Sequence, residues 1–148
     1  MQNLLVLTDF SDRALRAAEI AVLLASNNAK SVILYHSIVL PETGFKYGNL
    51  ILNKDEDAQR HCEALLKLTA ISDHLKTNMN DNGLAEVPII LKTGMGAIPN
   101  SITTLVREFN VWMIVMGNRV GGEWRNVSFG SNVTPVTDNA TCPVLLVP

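Results

Sequence analysis

Five apolar runs alternate along the chain with segments in which apolar residues recur every three or four positions. The runs cover residues 4–7, 31–40, 87–91, 111–116 and 143–147. Short runs of this kind are typical of strands buried on both faces. The segments between them predict four helices. Strands that alternate with helices in this way indicate an α/β sandwich with a parallel sheet and right-handed crossovers.

Local signals place the helices and turns. Ser11 is a suitable N-cap for an alanine-rich helix that breaks at residues 27–30. A long helix is predicted from about residue 54 to the turn at 80–83, a third covers the apolar stripe of residues 98–109, and a brief one ends near Asn139. Residues 93–96 contain two glycines and are predicted to form a turn. The apolar side of the long helix is predicted to contain Ala58, Cys62, Leu65, Leu68 or Thr69, Ser72, Leu75 and Met79.

The stretch 111–131 holds the most informative chemistry. Its apolar strand stops at Gly117 and is followed by a polar segment with Gly121, Gly122 and Gly130, which ends at Ser131 just before the last predicted helix. Glycine lets a backbone pass close to a phosphate, and the first N–H groups of a helix point towards an anion. A strand, a glycine loop and a helix start therefore predict an anion site, although glycine loops are common.

Composition narrows the function classes. The 148 residues, 47% of them hydrophobic, are enough for one domain with its own core. A net charge of −2 provides no basic surface for nucleic acid and no polybasic membrane patch. No apolar stretch approaches the about 20 residues of a membrane span, and the N-terminus lacks a signal-peptide pattern, so a cytoplasmic protein is expected. Cys62 and Cys142 form no metal-binding or dithiol motif and are predicted to be packing residues.

Several fragments, in order and spacing, resemble the universal stress protein family over the whole chain, residues 1–148. They are residues 5–11 (LVLTDFS), 34–36 (LYH), 114–117 (IVMG), Gly130 with Ser131, and 142–148 (CPVLLVP). Gly117, Gly130 and Ser131 stand where that family has the outer glycines and the serine of its nucleotide motif. The resemblance implies a three-layer, flavodoxin-like sheet of five parallel strands in the order 3-2-1-4-5. It places the carboxyl ends of the first and fourth strands side by side, at the switch point where such sheets bind ligands.

The resemblance also implies a ligand, ATP or a related adenine nucleotide. It places Thr8 and Asp9 at the adenine end, Ser37 beside the base, and Met116 and Gly117 as a wall. The phosphates would lie against the loop, where the family's donors correspond to Gly130, Ser131 and Asn132. Some members of the family bind no nucleotide.

Two departures from the family pattern bear on the ligand site, and a third, Trp112 at the start of the fourth strand, is expected to affect packing only. Val120 occupies the position of a motif glycine, where a β-branched side chain either blocks the phosphate or forces a different turn. Gly121 restores the loop if the turn shifts by one residue. Thr134 and Pro135 form an N-cap and first-turn pair, which would start the helix three residues after Ser131 and direct its dipole less well at a phosphate.

Structural alternatives stay open for each candidate. Asp9 can be a turn or helix-capping carboxylate, and Gly130 with Ser131 can be an ordinary loop-to-helix junction. His36 fits a hydrogen-bonded strand-end residue better than a catalyst, since no nucleophile pattern accompanies it. Nothing pairs a base with a nucleophile, and no Walker lysine or carboxylate cluster is present, so no enzyme is predicted.

A second function class is an interaction protein without a working nucleotide site. In the family's strand order the last strand, residues 144–147, lies at an edge, where unpaired backbone groups invite another chain. The resemblance implies a homodimer formed by antiparallel pairing of two such strands. A receiver domain has the same outline but requires paired acids near Asp9 and a lysine after the last strand. The last lysine of this chain is Lys92, so the sequence does not favour a receiver domain.

Overall fold

The computed structural model describes residues 2–28, 30–39, 54–96, 98–118 and 133–148. In these ranges five strands alternate with four helices, as predicted. The strands are β1 (Asn3–Leu7), β2 (Ser31–Ile38), β3 (Ile89–Met95), β4 (Val111–Gly117) and β5 (Val144–Val147). The helices are α1 (Asp12–Asn28), α2 (Lys54–Asp81), α3 (Ile98–Glu108) and α4 (Val133–Asn139).

The strands form one parallel sheet in the order β3-β2-β1-β4-β5, which confirms the predicted topology. Alternate residues of β1 point into two separate cores. Leu4 and Val6 belong to the core that includes residues of α1 and α2, whereas Leu5 and Leu7 belong to the core that includes residues of α3 and α4. Helices therefore cover both faces, and the three-layer sandwich is confirmed.

Helix α1 begins as the sequence predicts. The Ser11 hydroxyl accepts a hydrogen bond from the backbone N–H of Ala14 at 3.2 Å, which is the usual geometry of a serine N-cap. The alanines of α1 form its buried side, because their small side chains let the helix lie close to the sheet. They are Ala14, Ala17, Ala18, Ala21 and Ala25.

The third strand differs from the prediction. It runs to Met95 and includes Thr93 and Gly94, where the glycine content predicts a turn. Gly94 pairs with Ser37 of β2, and a Cβ built on Gly94 would lie 1.9 Å from the Tyr35 hydroxyl oxygen. The glycine is therefore in the strand because the Tyr35 side chain lies across it, a contact between strands that no local pattern shows. β2 is also shorter than predicted and ends at Ile38.

The buried side of α2 was predicted correctly only in its second half. Leu68, Ser72, Leu75 and Met79 are buried, but the other predicted members, Ala58, Cys62 and Leu65, are exposed. In its first turns α2 contacts the sheet through a polar residue, because His61 Nδ1 lies 2.7 Å from Thr93 Oγ1 on β3. Apolar periodicity cannot detect a polar contact of this kind. The prediction that Cys62 is a packing residue is wrong.

Candidate functional site

Two neighbouring strands, β1 and β4, end side by side at one edge of the sheet. Val6 pairs with Val115, so the residues that follow them, 7–9 and 116–117, reach the same edge. After β1 the chain enters α1, which packs on one face, whereas α4 after β4 packs on the other. This divergence creates the topological switch point at which doubly wound sheets bind ligands.

Asp9 follows β1 at this edge and is only 3% exposed. Its Oδ1 accepts hydrogen bonds from the Ser11 backbone N–H, at 3.0 Å, and from the Ser11 hydroxyl. Ser11 in turn caps α1, so the carboxylate orders the turn that leads into the helix. Asp9 thus has the structural role of a turn carboxylate, which was one of the two interpretations of this residue. It lies at a position that also suits ligand contact.

Thr8 and His36 connect β1 to β2. The backbone carbonyl oxygen of Thr8 lies 2.8 Å from His36 Nδ1, and because a carbonyl only accepts, Nδ1 carries the proton. Both residues are buried, at 1% and 2% exposure. His36 is therefore a hydrogen-bonded core histidine in this respect, as the sequence favours.

Phe10 adopts a backbone conformation that is unusual for a bulky side chain, with φ of 65°. Its ring stacks on His36 with centroids 4.2 Å apart, and Lys67 Nζ of α2 lies 5.1 Å from the ring centroid. The N–H of Phe10 donates to Thr8 Oγ1 at 3.1 Å. Left-handed conformations of such residues cost free energy and cluster at functional sites, so the turn 8–11 is a strained element at the switch point.

Ser37 and Met116 lie on the face of the sheet that α3 and α4 cover. Met116 belongs to the core that includes residues of α3 and α4. Ser37 points to the same face as Tyr35, two residues earlier on β2, and Tyr35 belongs to this core as well. The Ser37 hydroxyl donates to the backbone carbonyl of Gly96. Since β1 separates their strands and Ser37 lies two residues beyond the level of Met116, their backbones are about 12 Å apart. They can border a ligand from two sides but do not contact one another.

The Tyr35 hydroxyl lies beside the side chains of Ser37 and Ser101. Burial raises the pKa of the Tyr35 hydroxyl, and hydrogen bonds with the Ser37 and Ser101 side chains oppose that shift. The interaction with Ser101 joins β2 to α3, whereas Ser37 lies on the same strand as Tyr35.

Gly117 allows a close approach of two elements. A Cβ at this position would lie 3.1 Å from Arg13 Cβ in the first turn of α1, tighter than an ordinary contact. The glycine therefore has a packing role here, in addition to the ligand wall that the family resemblance implies.

A small cavity opens beside these residues, between the end of β2 and the first half of α2. Its volume is about 190 Å³, and its lining includes Phe10, His36, Ser37, Arg60 and Lys67. Pockets that hold whole small molecules usually measure about 300–1,000 Å³. This cavity therefore has room for part of a ligand only. Arg60 is also paired with Asp57 at 3.1 Å.

The remaining predicted site residues lie outside the described residues. They are Gly121, Gly130, Ser131 and Asn132, together with Val120. Helix α4 begins at Val133, one residue before the cap predicted at Thr134, and Pro135 is its third residue. Of the predicted set, the structure brings Thr8, Asp9 and Gly117 to the common edge of β1 and β4, with Ser37 and Met116 on one face.

Sequence reasoning missed three residues of this region. Phe10, Tyr35 and Lys67 contribute the strained turn, a hydroxyl beside Ser37 and a cation beside Phe10. For Phe10 and Lys67 no local pattern predicts these contacts, since they join parts of the chain that are far apart. For Tyr35 a polar tip within an apolar strand was a usable hint that its hydroxyl needs a partner.

Among the described residues no group of three or more His, Cys, Asp or Glu side chains could hold a metal ion. None of the helices in these ranges combines the length and apolar character needed to cross a bilayer.

A family model decides the relationship of this chain to known proteins. The model of the universal stress protein family matches residues 1–148. The chain belongs to the universal stress protein family. A comparison with curated proteins finds no match.

Solved structures of universal stress proteins share the fold. One, determined in complex with cAMP, is 22% identical, with a TM-score of 0.69 and coverage of 99% of this chain and 97% of the other. UspA from Lactobacillus plantarum is 19% identical, with a TM-score of 0.68 and coverage of 99% and 97%. A protein from Archaeoglobus fulgidus in complex with dAMP is 20% identical, with a TM-score of 0.61 and coverage of 100% and 98%. At these identities the likeness establishes the fold.

Proposed function

We propose that residues 1–148 work as one universal stress protein domain that binds ATP or a related adenine nucleotide and has no dedicated catalytic centre. The observation that carries the proposal is the buried carboxylate of Asp9 at the switch point between β1 and β4. A carboxylate accepts hydrogen bonds and donates none, so it suits the amino group of adenine or the hydroxyls of ribose.

The neighbouring structures support an adenine ligand. One related universal stress protein was determined with cAMP and another with dAMP. The loop residues Gly130, Ser131 and Asn132 would hold the phosphates, as the family pattern implies, and Gly121 would supply the turn that Val120 hinders. Lys67, beside the cavity at Phe10, adds positive charge at the same end of the sheet.

Isothermal titration calorimetry with ATP, AMP, cAMP and GTP tests the proposal. We expect saturable heat with the adenine nucleotides and weaker heat with GTP. Val120→Gly should raise the affinity for ATP, because it removes the Cβ from a position that the family gives to glycine. Absence of heat at millimolar concentrations of every adenine nucleotide would refute nucleotide binding.

The role of Lys67 has a matched control on the same helix. Lys67→Ala should weaken ATP binding and reduce its dependence on salt, whereas Lys76→Ala, an exposed lysine farther along α2, should leave both unchanged. Equal effects of the two changes would indicate that Lys67 acts only through the net charge of the protein.

The second candidate function is homodimerisation through β5, and its edge position supports it. Leu146 is 37% exposed on this strand. The carbonyl oxygen of Pro143 accepts from Ile114 of β4, and that of Val147 accepts from Asn118 directly after β4. The N–H and C=O groups of Val144 and Leu146 therefore point away from the sheet. Antiparallel pairing with a second copy would satisfy these groups. Sedimentation velocity, with and without ATP, would separate a dimer that needs nucleotide from one that does not.

A further inference from the structure

A second cavity lies between α1 and α2, in the second half of α1 and the last turns of α2. Its volume is about 340 Å³, within the range of small-molecule pockets. The buried side chains of Val22, Leu75 and Met79 form part of its lining, each no more than 3% exposed over the whole residue. Leu23, 46% exposed, forms an open wall. Because α1 and α2 both start at the carboxyl edge of the sheet, this cavity lies towards the opposite edge from the candidate nucleotide site.

The rim of this α1–α2 cavity is polar and consists of Glu19, Asn78 and Asn82. Glu19 Oε1 lies 3.0 Å from His74 Nε2 and 3.4 Å from Asn78 Nδ2. Asn82 Nδ2 donates to the Asn78 backbone carbonyl at 2.8 Å. These contacts use one carboxylate oxygen and both side-chain amide nitrogens.

Three acceptor oxygens remain at the rim. Within the described part of the chain, Glu19 Oε2 and the side-chain oxygens of Asn78 and Asn82 have no hydrogen-bond partner. An ammonium group has three donors and no acceptor, and it carries the charge that complements a carboxylate. An alcohol offers one donor, and a carboxylate ligand would meet Glu19 as a like charge.

We propose that the α1–α2 cavity binds a small amphiphilic primary amine, with its apolar body against Val22, Leu75 and Met79 and its ammonium group at Glu19. The cavity shares no residue with the candidate nucleotide site, so the inference does not depend on the proposed function. The apolar floor would supply affinity, and the three acceptors would select the charged head group over neutral or anionic ones.

Three probes of one chain length test the selection. Hexylammonium, hexanol and hexanoate would be titrated into the full chain while the methyl signals of Leu75 and Met79 are followed by NMR. We expect saturable shifts with hexylammonium, binding about three- to tenfold weaker with hexanol, and the weakest binding with hexanoate, since charge-assisted hydrogen bonds are about twice as strong as neutral ones.

Two variants and a charge-matched control separate the polar rim from the apolar wall. Glu19→Gln should bring hexylammonium and hexanol to nearly equal affinity, whereas Asp138→Asn, the same charge change on α4 across the sheet, should preserve the selection. Leu23→Ala should weaken hexylammonium and hexanol alike. Equal binding of all three probes by the unmodified chain, or shifts confined to other methyl groups, would overturn the proposal.

Discussion

The backbone N–H of Ser11 donates to Asp9 Oδ1 at 3.0 Å, which joins the buried carboxylate of the candidate site to the N-cap of α1. Asp9→Ala removes this acceptor and should lower the free energy of unfolding by about 1–2 kcal/mol as well as abolish ATP binding. Asp9→Asn retains an oxygen acceptor, so we expect a loss of stability below about 1 kcal/mol together with weakened binding. Urea unfolding and calorimetry on each variant measure the two effects.

Asp12→Asn provides the matched control. Asp12 is an exposed acid at the start of α1, and its replacement by Asn removes the same charge three residues away from Asp9. It should change the unfolding free energy by only a few tenths of a kcal/mol, the usual scale of charges at a helix N-terminus, and leave ATP affinity intact. If Asp12→Asn weakened binding as much as Asp9→Asn, the carboxylate of Asp9 would not be a specific contact.

Gly94 and Tyr35 should show strong coupling. Gly94→Ala places a Cβ 1.9 Å from the Tyr35 hydroxyl oxygen, and we expect a loss of more than about 2 kcal/mol from overpacking. In a Tyr35→Phe background the nearest ring atom would lie 2.9 Å away, so the same substitution should cost clearly less. A double-mutant cycle by urea unfolding measures this coupling. Additive losses would mean that the hydroxyl does not lie across Gly94.

The Tyr35 hydroxyl should make stability depend on pH in the alkaline range. Its pKa is raised in the folded chain, chiefly by burial, so the folded state retains the proton where the unfolded state releases it. The stabilisation that Tyr35 contributes is therefore complete below the pKa of the unfolded state, about 10. It is lost as pH rises from there through the pKa of the folded state. Comparison of urea unfolding for the unmodified chain and Tyr35→Phe above pH 9 isolates it, and parallel curves would contradict the prediction.

The two cysteines should react at different rates. Cys62 is exposed on α2, whereas Cys142 is partly buried and its pKa is raised by burial, against a hydrogen bond with the backbone of Ile114. The thiolate is the reactive form, so Cys142 should react more slowly with a disulfide reagent at pH 8. Stopped-flow measurements on Cys62→Ser and Cys142→Ser assign the two phases. A faster reaction in Cys62→Ser than in Cys142→Ser would contradict the order.

The edge of β5 gives a test of dimerisation. Leu146→Pro removes an N–H that points away from β4, and Leu146→Lys adds a charge at the edge. Both should shift a dimer towards monomer in sedimentation velocity. Leu66→Lys, an equally apolar and more exposed position at 67% on α2, is the control and should not. Unchanged dimers in both Leu146 variants would exclude this edge as the interface.

Much of the fold follows from local patterns because short apolar runs and helical periods act over a few residues. The strand order was reached through the family resemblance and is confirmed, and the Ser11 cap is present where the sequence indicates. The β1–β4 switch point was therefore predictable, and with it the position of Asp9, Met116 and Gly117.

Other features depend on contacts between distant parts of the chain. β3 continues through Gly94 because Tyr35 of the neighbouring strand lies across it, and the first turns of α2 meet the sheet through His61 and Thr93. Local propensity favoured a turn at Gly94 and an apolar stripe in the first turns of α2. In both, packing between elements outweighed it.

At the candidate site, too, some features follow from the local sequence and others from tertiary packing. The residue types 8–11 already indicate a strand end with a cap, since serine and aspartate bind nearby backbone amides. That Asp9 is buried, that Phe10 takes a positive φ against His36, and that Gly117 admits the first turn of α1 were decided by tertiary packing. Burial and close approach are properties of two surfaces brought together, and one stretch of sequence describes only one of them.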